Sequence, residues 1–97
     1  RIRYRDLDVD TDKCLVLLNG EEVHLTSTEY KLLCYLIENK GRIVTKAMLL
    51  EQLWDIDGNF VDDNTVRVNI KRLRQKLNDD KQEYIVTVFG MGYTFGE

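Results

Sequence analysis

Apolar positions along the chain change period twice. The opening stretch RIRYRDLDVD alternates loosely, with Ile2, Tyr4, Leu7 and Val9 as its apolar members, and CLVLL and EEVHL follow on either side of Asn19-Gly20. Alternation suits a half-buried strand. Asn-Gly between two apolar runs is a strong hairpin signal, because both residues tolerate positive φ. The first quarter therefore predicts an antiparallel sheet ending near Leu25.

From Thr26 the spacing becomes helical. Thr26 and Glu29 have capping-box spacing. Tyr30, Leu33, Cys34 and Ile37 then recur on one face, broadened by Leu32 and Leu36, up to a stop near Lys40-Gly41. Thr45 can cap a short second helix carrying Met48, Leu49, Leu53 and Trp54. DIDGNFVDD is turn-rich and predicts a loop. Asp62 or Asp63 can cap a third helix running to about Leu77. After NDDKQE, two β-prone runs flank Gly90-Met91-Gly92 in YIVTVFGMGYTF, which predicts a second hairpin. The expected order is sheet (1–25), three helices (26–77) and hairpin (84–95) in one domain, 1–97. The chain has no prolines and no repeats.

Charge alters the meaning of the third helix. Asn64 to Leu77 holds five basic residues and no acidic one, so the net charge of −3 leaves −8 for the rest of the chain. On a helical wheel Val66, Ile70, Leu73 and Leu77 form one narrow stripe that can bury against the other helices. Thr65, Val68, Lys71, Arg72 and Gln75 fall on the far side, flanked by Arg67, Asn69, Arg74 and Lys76. Solvated helix faces usually mix signs. A one-sign face instead points to an anion, and a helix of this kind fits the major groove of B-DNA, where Arg, Asn and apolar groups can read base edges. An acidic protein partner is the alternative. A membrane-surface helix is weaker, because the apolar stripe is needed for the core.

The remaining chemistry is sparse. The composition is 43% hydrophobic and 32% charged, with no run near the length of a membrane span. Cys14 and Cys34 have no ligand spacing, which argues against zinc and for two buried thiols in a reducing cytoplasm rather than a disulfide. DIDGNFVDD lacks the glycine and glutamate positions of a calcium loop. His24, the single histidine, has no paired nucleophile, so the chain reads as a non-enzyme without metal or cofactor. It begins at Arg1 with no initiator Met and no signal pattern, as a piece of a longer protein would.

Three segments together, LTSTEYKLLCYLIENKGRIVTKAMLLEQLW, VNIKRLRQKL and TVFGMGYTF, resemble the winged-helix DNA-binding domain of OmpR/PhoB-type response regulators. The match runs in order over essentially the whole chain. The resemblance implies an α+β winged helix-turn-helix, with a four-stranded antiparallel sheet, a three-helix bundle and a C-terminal β-hairpin wing. It implies double-stranded DNA as the partner, with the third helix in the major groove and the wing near the minor groove. Thr65, Val68, Asn69 and Arg72 would face bases. Thr45, Lys46, Trp54, Arg67, Lys71, Arg74, Lys76 and Thr87 would face phosphate, with Trp54 equally readable as a core residue. The wing would comprise Phe89, Gly90, Gly92 and Tyr93. Phe89 stands where many relatives have an Arg that can enter the minor groove, so it either packs on the domain or touches sugar and base edges. The resemblance also implies an upstream receiver domain phosphorylated by a sensor histidine kinase. The isolated domain would be a monomer that pairs on tandem direct repeats, contacts RNA polymerase through Asp55 to Phe60, and works in the cytoplasm.

Overall fold

Two sheets and three helices share a single apolar interior. The computed structural model describes residues 1–57 and 62–96. Strands β1 (Ile2–Tyr4), β2 (Leu7–Asp10), β3 (Leu15–Leu18) and β4 (Glu21–Glu22) form an antiparallel sheet in sequential order. Asn19 and Gly20 both have positive φ, 52° and 83°, and turn the chain so that Leu18 faces Glu21. Alternation then does what the sequence predicts: Leu7 and Val9 point inward from β2, opposed across the sheet by Leu18 and Val16.

Helix α1 (Ser27–Glu38) starts at a complete capping box. Thr26 Oγ1 accepts from the Glu29 N–H, and the Glu29 carboxylate accepts from the Thr26 N–H. Its inner face, Leu32, Leu33, Leu36 and Ile37, is buried. The helix ends at Glu38, and the chain turns at Gly41 with φ 84°. Helix α2 (Lys46–Asp57) is capped by Thr45, whose hydroxyl accepts from the Met48 N–H at 3.1 Å. It extends through Asp57, so Asp55 to Asp57 are helical rather than part of a loop; the rest of the expected polymerase-facing stretch, 58–60, lies outside the described residues. Helix α3 (Asp63–Lys76) is capped by Asp62, which accepts from the Thr65 N–H at 2.9 Å. No helix among the described residues is long and apolar enough to cross a membrane.

The C-terminal hairpin consists of β6 (Ile85–Val88) and β7 (Gly92–Phe95). A short strand that the sequence did not announce, β5 (Val44–Thr45), pairs with β7 and makes the sheet three-stranded, in the order β5-β7-β6. Two residues are too few to show a period. The pairing is close: a β-carbon on Gly92 would overlap the Val44 carbonyl oxygen. Thr45 thus ends the strand that pairs with β7 and caps a helix at once, which ties the hairpin to the start of α2.

The interior gathers Leu7, Val9 and Val16 from the first sheet, the inner faces of all three helices, and Ile85 and Phe95 from the second sheet. At its edge Tyr4 stacks edge-on against Phe95 and Tyr84, with ring centroids 5.3 and 5.8 Å away. The cysteines depart from expectation. Cys14 is exposed in the β2–β3 turn, where its φ is 51°, and Cys34 is half-buried; both are free thiols. Burial pushes the Cys34 thiol pKa up. His24 is exposed beside Glu22.

Candidate nucleic-acid interface

The apolar stripe of α3 is seated as its spacing requires. Val66, Ile70, Leu73 and Leu77 are each at most 1% exposed. Burial of such side chains is worth about 1.5–3 kcal/mol each by transfer. Four of them outweigh the mutual repulsion of surface cations, which is weak and screened at an exposed helix face. The outer face is therefore held in place whatever its charge.

That outer face differs in detail from the wheel. Arg67, Lys71 and Arg72 are exposed, as is Gln75, and Val68 is half-buried among them. Asn64, which the wheel does not single out, is also exposed, in the first turn. The other four α3 candidates are engaged within the domain. Thr65 is the capping residue's partner, its hydroxyl 3.1 Å from Asp62 Oδ1. Asn69 is only 9% exposed and donates through Nδ2 to the Thr65 carbonyl at 2.9 Å. Lys76 reaches back to Glu29, Nζ to Oε1 2.5 Å. Arg74 turns to the hairpin, donating to the Ile85 carbonyl from Nε and Nη2 (3.1 and 2.8 Å) and to Thr87 Oγ1 (2.8 Å), with its guanidinium 5.7 Å from the Tyr93 ring centroid.

Arg74 and Lys76 find their partners on β6 and α1, which a wheel of α3 alone does not show, whereas Thr65 and Asn69 bond locally, to the N-cap Asp62 and to the Thr65 carbonyl. Burial lowers the Arg74 guanidinium pKa. Burial by itself would raise the Glu29 carboxyl, but hydrogen bonds from Lys76 and from the Thr26 backbone outweigh it and hold the carboxyl below its ordinary range.

Between α3 and the hairpin runs a shallow groove lined by Arg67, Lys71 and Gln75 on the helix and by Gln82 and Tyr93 beyond it; Asp79 and Asp80 also border it. Asp79 is the residue most important to this arrangement that the sequence does not announce. It is 2% exposed, and its carboxylate accepts from the backbone N–H groups of Glu83, Tyr84 and Ile85 at 2.7, 3.0 and 2.8 Å. It fixes the chain's entry into β6. An aspartate inside a polar run carries no signal of such a role.

Around this core stand the remaining candidates. Lys46 is exposed in the first turn of α2, and Thr45, though exposed, already spends its hydroxyl on the cap. Trp54 is 56% exposed, which removes the core reading of that residue. Thr87 is half-buried under Arg74. Tyr93 is 7% exposed. Gly90, with φ 74°, makes the hairpin turn. Phe89 is 94% exposed and does not pack on the domain, contrary to one of the two expectations for it, because the turn at Gly90 carries it clear of the body.

A helix-turn-helix core, a one-sign outer face and a hairpin pinned beside it are now in view. Residues 20–95 match the family described as "Transcriptional regulatory protein, C terminal". The chain belongs to this family, in its OmpR/PhoB-type branch.

Relatives agree over nearly the whole chain. The uncharacterized transcriptional regulatory protein YcbL of Bacillus subtilis is 41% identical, over 99% of this chain and 43% of its own. The response regulator DrrB of Thermotoga maritima, an OmpR/PhoB homologue, superposes with a TM-score of 0.88 at 36% identity, over 99% of this chain and 44% of its own. The DNA-binding domain of Klebsiella pneumoniae RstA, solved in complex with the RstA box, gives 0.83 at 34% identity, over 98% and 95%. The chain spans less than half the length of the curated relatives it matches. In OmpR/PhoB-type terms β6 and β7 are the wing and α3 is the recognition helix, and in this member Arg74 joins the two.

Proposed function

We propose that this domain binds double-stranded DNA sequence-specifically and regulates transcription, as the effector end of a two-component response regulator. In this reading α3 enters the major groove and the wing lies along the flanking minor groove. The observation that carries it is the outer face of α3, where Arg67, Lys71 and Arg72 project to solvent over a buried apolar stripe, with no acidic residue from Asn64 to Lys76. An α-helix of this width fits the major groove, and its cations release counterions from phosphate.

Roles follow from placement. Arg72, with Val68 and Asn64, is positioned to meet base edges, and Arg67, Lys71 and Lys46 to meet phosphate. Trp54 is available beside the backbone, since it is exposed at the end of α2. Thr65, Asn69, Arg74, Lys76 and Thr87 act mainly by holding α3 and the wing in register, given the internal bonds they make. No catalytic step is assigned to any residue.

The wider reading rests on the family: a receiver domain upstream, phosphorylation by a sensor histidine kinase, pairing on tandem direct repeats, RNA polymerase as a further partner, and a cytoplasmic setting. The negative charge outside α3 supports a weak-monomer arrangement, because it opposes general affinity for DNA and turns the basic face toward the duplex.

Selection of bound duplexes from a random pool, followed by titration of the recovered duplex at two salt concentrations, tests the core of the reading. A recurring half-site and a steep fall of affinity with salt are expected. Enrichment of no sequence, with no duplex binding at low salt, would favour the acidic-protein alternative.

A further inference from the structure

We propose that Cys14 and Cys34 form an oxidisable thiol pair, bridged by the Tyr30 hydroxyl, that peroxide converts to a reversible disulfide joining the first sheet to α1. This modification site is separate from the outer face of α3 and stands or falls independently of the DNA-binding reading.

Convergence of elements is the first observation. Cys14 comes from the β2–β3 turn, and Tyr30 and Cys34 lie four residues apart on α1. Residues at that spacing are neighbours on one helix face. The Tyr30 hydroxyl is within hydrogen-bonding reach of both thiols, and the two sulfurs are near enough to feel each other's charge. The two cysteines of the chain, far apart in sequence, thus meet at one phenol.

The second observation is access. Cys14 is exposed, in a turn where Asp10 Oδ1 accepts from the Asp12 and Lys13 N–H groups at 3.1 and 3.3 Å. Its φ of 51° is a conformation that residues other than Gly, Asn and Asp seldom take. The turn therefore sets where this thiol stands, against the residue's own preference. Cys34 is half-buried, and a cleft of about 240 Å³ lined by Tyr30, Cys34, Tyr35 and Gln52 opens beside it. No described residue of α3 lines that cleft.

Third, the two thiols differ in kind. Burial raises the pKa of the Cys34 thiol, and the Tyr30 hydroxyl, which donates to the thiolate form, offsets part of the rise. Burial likewise raises the pKa of the Tyr30 hydroxyl, so the phenol keeps its proton and remains a donor. An accessible thiol is oxidised first, and a shielded one beside it resolves the product.

The chemistry balances with hydrogen peroxide as the oxidant. The Cys14 thiolate attacks one peroxide oxygen, the O–O bond breaks, and the departing hydroxide takes up the thiol proton as water. Cys14 becomes a sulfenic acid, oxidised by two electrons. The Cys34 sulfur then attacks the sulfenic sulfur. The S–S bond forms, the S–O bond breaks, and hydroxide leaves with the Cys34 proton as a second water. The Tyr30 O–H donates to the departing oxygen. Two thiols and one peroxide become one disulfide and two waters.

The experiment treats the chain with hydrogen peroxide, in buffer and in urea, and follows the products by non-reducing peptide mass mapping. Parallel samples carry dimedone, which traps sulfenic acid. Wild type, Cys34→Ser and Tyr30→Phe are compared. Wild type in buffer is expected to form a Cys14–Cys34 disulfide within one chain, at least about tenfold faster than in urea, because the fold holds the pair together. Dithiothreitol should restore both thiols. Cys34→Ser should stop at a Cys14 sulfenic acid that dimedone captures. Tyr30→Phe keeps the ring and should slow the pairing several-fold. Disulfides between chains only, pairing no faster in buffer than in urea, or oxidation of wild-type Cys14 that never reaches Cys34 overturns the proposal. An unchanged rate in Tyr30→Phe overturns the part given to the phenol.

Discussion

Arg74 and Thr87 stand 2.8 Å apart, guanidinium to hydroxyl, and this bond joins the recognition helix to the wing. The same guanidinium donates twice to the Ile85 carbonyl. A cation on a nominally DNA-facing helix is therefore a structural tie between the two elements. Arg74→Ala should lower stability by about 2 kcal/mol, the scale for lost hydrogen bonds to a charged group, read from the urea midpoint. It should also weaken binding at the flanks more than removal of a phosphate-facing cation such as Lys71 does. Arg74→Lys should rescue little, since one ammonium cannot reproduce the forked donors. Full rescue by lysine would show that only charge matters at this position.

Glu29 and Lys76 supply a pH-dependent link between α1 and the end of α3. The folded-state carboxyl of Glu29 titrates below its ordinary range. Its contribution is therefore fully present above the unfolded carboxylate pKa and is lost as pH falls through the lower, folded value. Lys76→Ala would leave a 2%-exposed carboxylate without its cation. Breaking a buried pair costs about 3–5 kcal/mol, and because Lys76 keeps a third of its side chain in water, about 2 kcal/mol is expected. Urea unfolding from neutral to acidic pH should show a slope in wild type that Glu29→Gln flattens. An unchanged slope in that variant would place the acid sensitivity elsewhere.

Asp79 should be among the most sensitive surface-loop positions. Asp79→Ala orphans three backbone N–H groups, two of them in buried bonds. At about 1–3 kcal/mol for each unsatisfied buried group, a loss near 3 kcal/mol is expected. Amide exchange should accelerate in β6 before α1. Uniform acceleration across the domain would mean that the wing does not open separately.

Arg72 and Lys71 should separate reading from holding. Arg72→Ala should relax base preference at one position of the half-site, costing about 1–3 kcal/mol on the preferred sequence. Lys71→Ala should weaken all duplexes alike and reduce the salt slope by about one. Competition binding against single-base variants distinguishes the two; parallel losses would remove Arg72 as a reader.

Most of the fold was legible because its signals are local. The Asn19-Gly20 turn, the Thr26–Glu29 box and the Val66–Leu77 stripe are each set by residues a few positions apart, and each stands as expected. What was missed depends on distant partners. β5 exists because β7 offers it an edge, not because Val44-Thr45 is a strong strand. Arg74 and Lys76 share a helix face with the unengaged cations by angle alone, and partners on β6 and α1 hold them, whereas Asn69 folds back on its own helix. The exposure of Cys14 and Phe89 is likewise set by turns, where apolar or thiol character does not dictate burial.

The Tyr4 ring lies against the would-be β-carbon of Gly96, at 3.0 Å from Cζ. A residue near the first position of the chain and one near the last are thus neighbours at the rim of the interior. The first strand and the last thereby close one rim of the interior together, so a substitution at Tyr4 should loosen the end of β7 as well as β1.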